Sequence, residues 1–255
     1  MEEKKFRNLR IFNGVMAVLH FTQGLLMLLL SNDFSLPVST SYLDYDSFQN
    51  SVAATPVEIA ALKIGPLVAG FLFISAFAHL LLVLPVINKW YNDNLKKELN
   101  YLRWFEYAFS SSLMIVVIGM LSGMYDLSSL ILVFTLNAMM ILFGLLMEMH
   151  NQTTKKTNWT AYIFGCIAGI VPWIVIAMYF YGALNNYSDS VPNFVYGILV
   201  SLFLFFNVFA INMFLQYKKI GPWKNYIFGE RMYIILSLLA KSALAWQVFS
   251  GTLRP

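Results

Sequence analysis

Lys241 stands about midway along an apolar run, LSLLAKSALAWQVF, where an ammonium group has no water to meet it. A lysine at the centre of a membrane helix costs on the order of 3 kcal/mol on insertion scales, and at that depth its stem is too short to reach the interface. One task for such a lysine is a neutralised group or buried salt bridge that holds helices together. The other is chemical. A desolvated amine gives up its proton more easily, becomes a nucleophile toward aldehydes and can form a Schiff base. Once protonated, that linkage is a buried cation and needs an anion. Glu106, in the run RWFEYAFSSS, is the acidic residue that lies well inside an apolar segment. Attraction between unit charges about 4 Å apart is about 4 kcal/mol at an effective dielectric of 20, so Lys241 and Glu106 read as a counter-ion pair. The competing reading for Glu106 is an interfacial pair with Arg103 three residues earlier.

Other polar residues fall on shared helix faces: His20 with Gln23, Ser75 with His79, and Ser237 with Lys241. An intramembrane histidine is ordinarily a packed, hydrogen-bonded residue. Two of them near the depth of Glu106 suggest a polar, watered pocket and proton-accepting network. No HxxxH or ExxH spacing supports a metal there, and the single cysteine, Cys166, read as a small core residue, rules out an intrachain disulfide and thiolate metal sites. Trp104, Tyr107, Trp173, Phe205, Phe206 and Trp246 could wall a slot for a long apolar ligand, although in a chain with 16% aromatic residues each could equally be ordinary packing.

The elements that must position these groups are membrane helices. Hydrophobic residues make up 59% of the 255 and charged residues 12%, with a mean hydropathy of +0.65. Seven segments approach the roughly 20 apolar residues needed for a span, at 11–30, 59–87, 102–122, 130–149, 159–183, 194–216 and 230–250. The basic stretch before the first lacks a small-residue cleavage site, so that segment reads as a retained helix. The tightest connection, Gly123 to Ser129, requires its two helices to be antiparallel neighbours.

The net charge of +4 is dispersed between apolar runs, which argues against nucleic acid and for membrane orientation. The N-terminus and the second, fourth and sixth loops hold 14 of the 17 basic residues; the other side carries Lys63, Arg254 and Asp33, Asp44, Asp46, Glu58, Asp126 and Asp189. The positive-inside rule therefore predicts a cytoplasmic N-terminus and an outside C-terminus. The longest connection, 31–58, is too aromatic for disorder, with Tyr42, Tyr45 and Phe48, and is expected to form a small ordered outer cap that could include short strands. Without an internal repeat, the chain reads as one domain, 1–255, an all-α seven-helix membrane bundle.

Several long strings resemble the heliorhodopsins: RWFEYAFSSS at 103–112, FGCIAGIVPW at 164–173, VPNFVYGILVSLFLFFN at 191–207 and SLLAKSALAWQVFSGTLRP at 237–255. The resemblance spans nearly the whole chain and implies a rhodopsin-like bundle of inverted orientation in the cell membrane. It also implies all-trans retinal on Lys241, Glu106 as its counter-ion, and a polar cavity on the cytoplasmic side that includes His20, Ser75, His79 and Ser111. Homodimers and a slow light-sensing cycle are further implications. Asn137, Met140 and Ile141 join Trp104, Tyr107, Trp173 and Phe206 in the expected retinal pocket, and Gln23 and Ser237 join the polar network. A proton pump needs carboxylates on both sides of the lysine, and the outer half of the spans has none. The expectation is therefore a photoreceptor rather than an enzyme or pump. The alternative is a light-gated proton channel or a light-regulated modulator of a membrane or cytosolic partner. His20, His79 and His150 are too few for a histidine-box enzyme, and inside-basic loops disfavour a G-protein-coupled receptor. Lipid surrounds the bundle, and the signalling partner is unnamed by the sequence.

Overall fold

The computed structural model describes residues 2–46, 50–187 and 193–255, so Phe48 and Asp189 lie outside the described residues. Among the described residues, seven helices are long and apolar enough to cross a membrane: α1 (Glu2–Leu30), α2 (Ile64–Val83), α4 (Tyr101–Leu121), α5 (Leu127–Asn151), α6 (Thr160–Tyr187), α7 (Asn193–Tyr217) and α8 (Tyr226–Val248). Between α2 and α4 lies a shorter helix, α3 (Pro85–Leu95), and a hairpin of β1 (Ser35–Asp46) and β2 (Ser51–Lys63) joins α1 to α2. Phe21, Leu29, Ile131, Leu132, Met178 and Val200 are among many exposed apolar side chains, as expected when the outer solvent is lipid.

Several boundaries differ from the sequence reading, and those of the second span do so for physical reasons. The second span begins at Ile64 rather than 59, because β2 continues to Lys63, which pairs with Ser35 at the base of the antiparallel ladder. The apolar string VEIAALK thus belongs to an exposed strand of 13 residues, much longer than the short strands expected of the cap. The same span ends at Val83, where Leu84 turns extended (φ −65, ψ 134) ahead of Pro85, the residue that opens α3. Proline disfavours helix in the residue before it and suits the first helical position. His150, expected in a loop, is in the last turn of α5.

The tight connection between α4 and α5 turns through Gly123 (φ +96) and is closed by Asp126, whose side chain accepts the Ser129 N–H. The hairpin is anchored to this turn, since Ser39 N–H donates to Tyr125 O at 2.9 Å. Nearby, Asn32 Nδ2 donates to the Thr252 and Arg254 carbonyls at 2.9 and 3.0 Å, tying the end of α1 to the chain's C-terminal segment. The main apolar core lies toward this hairpin end, built from Phe71, Leu72, Ile115, Ile118, Met120, Leu244 and their neighbours. Polar and charged buried side chains gather instead from mid-bundle toward the N-terminal end.

Candidate functional site

Lys241 comes from α8, Glu106 from α4 and Ser75 from α2, and the three meet between their helices. Lys241 Nζ donates to Glu106 Oε1 and to Ser237 Oγ, both at 2.8 Å, and Ser75 Oγ donates to the same Glu106 oxygen at 2.6 Å. Lys241 is 3% exposed and Glu106 8%. Ser237 precedes Lys241 by one helical turn, which places its hydroxyl beneath the lysine stem. Glu106 pairs with Lys241, while Arg103 pairs with Glu148 and Glu230 instead. A buried ion pair persists only where hydrogen bonds help replace lost hydration, and the two serines supply them.

Toward α1 the network continues through imidazoles. His79 Nδ1 is 2.7 Å from Asn13 Oδ1, and the His20 ring stacks on His79 with centroids 5.6 Å apart. Neither nitrogen of the fully buried His20 has a hydrogen-bond partner among the described residues. A small internal cavity touches Asn13, His79, Glu106 and Tyr107.

On its other side Lys241 opens onto a larger cavity walled by Trp104, Tyr107, Met140, Ile141, Phe206 and Phe209 among others. The amine sits 5.0 Å from the centre of the Tyr107 ring at the junction of the polar and apolar compartments. Trp104 owes its position to Gly144, where a Cβ would come within 2.3 Å of the indole. Ser110, Ser111 and Ser237 bring a few hydroxyls to an otherwise apolar surface. These walls suit a long, flat, apolar aldehyde whose reactive end must reach the lysine, so the residues present fit retinal.

The structure does not bring every sequence candidate here. Ser111 lines the large cavity rather than the polar network and accepts from Asn137 Nδ2 at 2.8 Å, while Asn137 sits behind that wall. Trp173 packs edge-on against Phe206, centroids 5.4 Å apart, one layer back. Phe205 packs on the main core. Gln23 accepts from Trp246 Nε1 at 3.1 Å at an exposed position, so neither residue reaches Lys241. Cys166, read as a small core residue, is exposed on α6 and borders the large cavity.

Sequence reasoning missed a second buried ionic group. Arg103 forms ion pairs with both Glu148 of α5 and Glu230 of α8. Tyr91 Oη and Asn100 Nδ2 also donate to Glu230, at 2.9 and 2.7 Å, and Trp104 Nε1, Asn100 N and Tyr226 Oη donate to Glu148, at 2.7, 3.0 and 3.0 Å. The available signal was two glutamates and an arginine at the same end of three spans, each within a turn or so of an apolar run.

A family model described as Heliorhodopsin matches residues 9–253. No curated protein matches the chain. With the match covering all seven helices and the cavity beside Lys241, the chain belongs to the heliorhodopsin family, light-sensing retinal rhodopsins of the membrane rather than classical enzymes.

Proposed function

We propose that this protein is a photoreceptor in which all-trans retinal is held on Lys241, Glu106 is the counter-ion, and the light-driven cycle is slow and moves no net ion across the membrane. The observation that carries the reading is Lys241 Nζ at the end of an aromatic-walled cavity, 2.8 Å from Glu106 Oε1. Retinal, when bound, would condense with the amine as a Schiff base and supply a light-driven change of shape.

The chain's residues do the rest. Glu106 neutralises the positive nitrogen, and Ser75 and Ser237 orient the pair. Asn13, His79 and His20 provide the polar side of the compartment, where a displaced proton is retained until it returns to the same nitrogen. Described acidic residues within the spans lie from mid-bundle toward the N-terminal end, so no carboxylate relay runs to the hairpin end. By the distribution of Lys and Arg, the N-terminus is cytoplasmic and the C-terminus outside. The molecule pairs as a homodimer in the cell membrane, and its signal passes to a partner that meets the basic cytoplasmic loops.

The test is colour and transport together. Supplied with all-trans retinal, the wild type develops a visible band and Lys241→Ala does not, while circular dichroism shows both helical. Colour that survives in Lys241→Ala would reject the attachment. In liposomes under continuous light, a sustained pH change abolished by a protonophore would mean pumping, and a voltage-dependent photocurrent would mean a channel. The photoreceptor reading expects neither.

A further inference from the structure

At the N-terminal end of the bundle a cleft opens between the loops after α3 and α5, the end of α7 and the start of α8. It shares no lining residue with the two cavities beside Lys241. Every side chain that lines it carries a hydroxyl, amide, ammonium or carboxylate group. Such walls offer nothing to an acyl chain and a good deal to a small polar molecule.

Two of its charged residues stand where the needs of the fold alone would put glycine. Glu98 (φ 56) and Lys219 (φ 53) are two of the three non-glycine residues with positive φ among the described residues. Each closes a helix in the same way. At the end of α3, Glu98 N–H donates to Leu95 O at 3.0 Å and Leu99 N–H to Asn94 O at 3.2 Å. At the end of α7, Lys219 N–H donates to Gln216 O and Ile220 N–H to Leu215 O, both at 3.1 Å. The left-handed position of this helix-ending turn ordinarily belongs to glycine, because a Cβ there crowds the backbone. Strained residues of this kind gather at sites that have a task. Here two strained turns on different helices bring a carboxylate and an ammonium to one cleft, where Lys155 adds a second ammonium. None of the three forms an ion pair among the described residues.

Gln216 supplies an independent sign of a ligand. It borders the cleft at 7% exposure, and its Nε2 donates to the Tyr226 carbonyl at 3.3 Å, while its Oε1 has no partner among the described residues. Gly229 makes room for this amide, since a Cβ there would come within 2.8 Å of Nε2. Tyr226 is fixed in turn by its donation to Glu148 at 3.0 Å. A buried acceptor held in place without a donor costs the fold stability until something satisfies it.

We propose that the cleft binds a small water-soluble molecule carrying two carboxylates and one ammonium, the chemistry of an acidic α-amino acid. Lys155 and Lys219 receive the carboxylates, and Glu98 and Gln216 Oε1 receive the ammonium. An inorganic anion would face Glu98 and leave Gln216 unsatisfied, and a simple cation would face two lysines. The head group of a serine phospholipid has the same balance of charge, but its acyl chains would find no apolar wall. This inference goes beyond the photoreceptor reading and stands apart from it.

The test is isothermal titration calorimetry at neutral pH on the full-length, retinal-loaded protein in phosphatidylcholine nanodiscs, with L-glutamate and L-aspartate as probes. At least one should bind saturably. Its analogue without the ammonium (glutarate or succinate), its analogue with one carboxylate amidated (L-glutamine or L-asparagine) and inorganic phosphate should each bind about tenfold more weakly or worse. Lys219→Gly and Glu98→Gly should likewise weaken binding about tenfold, with a thermal midpoint at or above that of the wild type, because glycine accepts the left-handed backbone. The analogue series uses the wild type alone, so it decides the matter even if a glycine variant fails to assemble. No saturable binding of either amino acid, an analogue or phosphate bound as tightly as the parent, or folded glycine variants that bind as the wild type does would overturn the site. Binding that appears only when phosphatidylserine is added to the nanodisc would give the cleft to lipid and overturn the soluble ligand. These titrations do not depend on the colour of Lys241→Ala, which tests the attachment of retinal.

Discussion

Among the described residues, two buried ionic sites bridge α4 and α8, and they are built on opposite plans. Lys241 and Glu106 balance one charge against one, with two serine hydroxyls alongside and cavities on both flanks. Arg103 faces two carboxylates inside a shell of tyrosine, tryptophan and asparagine donors. An amine can lose its proton or form a covalent bond, whereas a guanidinium does neither. The first site is thus arranged to change state and the second to keep one. The same ion-pair chemistry yields a reactive centre or a fixed strut, depending on which cation is used and how fully its partners are bonded.

The sharpest way to break the contrast is to remove the fixed cation. Arg103→Gln leaves two carboxylates buried together, and we expect a loss of about 3–5 kcal/mol, read as a large fall in thermal midpoint in detergent. Glu106→Gln should cost less, about 2 kcal/mol, because the nitrogen it abandons can release its proton. Its main effect is optical: the remaining coloured form should absorb further to the red, and less of it should survive at neutral pH, in an absorbance titration. An unchanged spectrum would assign the counter-ion elsewhere. Gly144→Ala probes the wall shared by the two sites, since its methyl must displace the Trp104 ring. With a cavity beside that ring, the cost should be near 1 kcal/mol, accompanied by a shifted visible band in the loaded protein.

The smallest effect belongs to a surface pair that serves as the control. Lys63 donates to Asp33 at 2.6 Å with both side chains exposed, and that hydrogen bond and the ammonium charge lower the Asp33 carboxyl from its ordinary value. A depressed carboxylate contributes stability above its unfolded value and loses it as pH falls through the folded one. Because solvent screens the pair, Asp33→Asn should leave the thermal midpoint unchanged at neutral pH and merely remove a slight acid sensitivity. A fall comparable with that of Glu106→Gln would contradict the distinction between buried and exposed pairs.

What the sequence disclosed follows the same division. Lys241 and Glu106 are legible because each interrupts a long apolar run, where a charge has no ordinary excuse. Arg103, Glu148 and Glu230 sit near span ends, where charges ordinarily face water, and whether they turn inward depends on how each helix is rotated. The apolar residues run nearly all around these helices, so no stripe fixes that rotation. For the same reason Asn137, Trp173 and Gln23 could be placed on a span but not on the correct face of it. The hairpin was hidden differently: VEIAALK is apolar enough to merge with the helix after it, and only the pairing of Ser35 with Lys63 separates them.

The bonds at the hairpin end bear on how light could move this molecule. Ser39 is fastened to the α4–α5 turn, and Asn32 fastens α1 to the residues after α8, so four helices are clasped at one end. At the other end they are joined by polar loops and by the side chains around Arg103. Strain introduced in the middle, beside Lys241, would have little room to spread at the hairpin, so the side chains around Arg103 at the N-terminal face would be the ones to take it up.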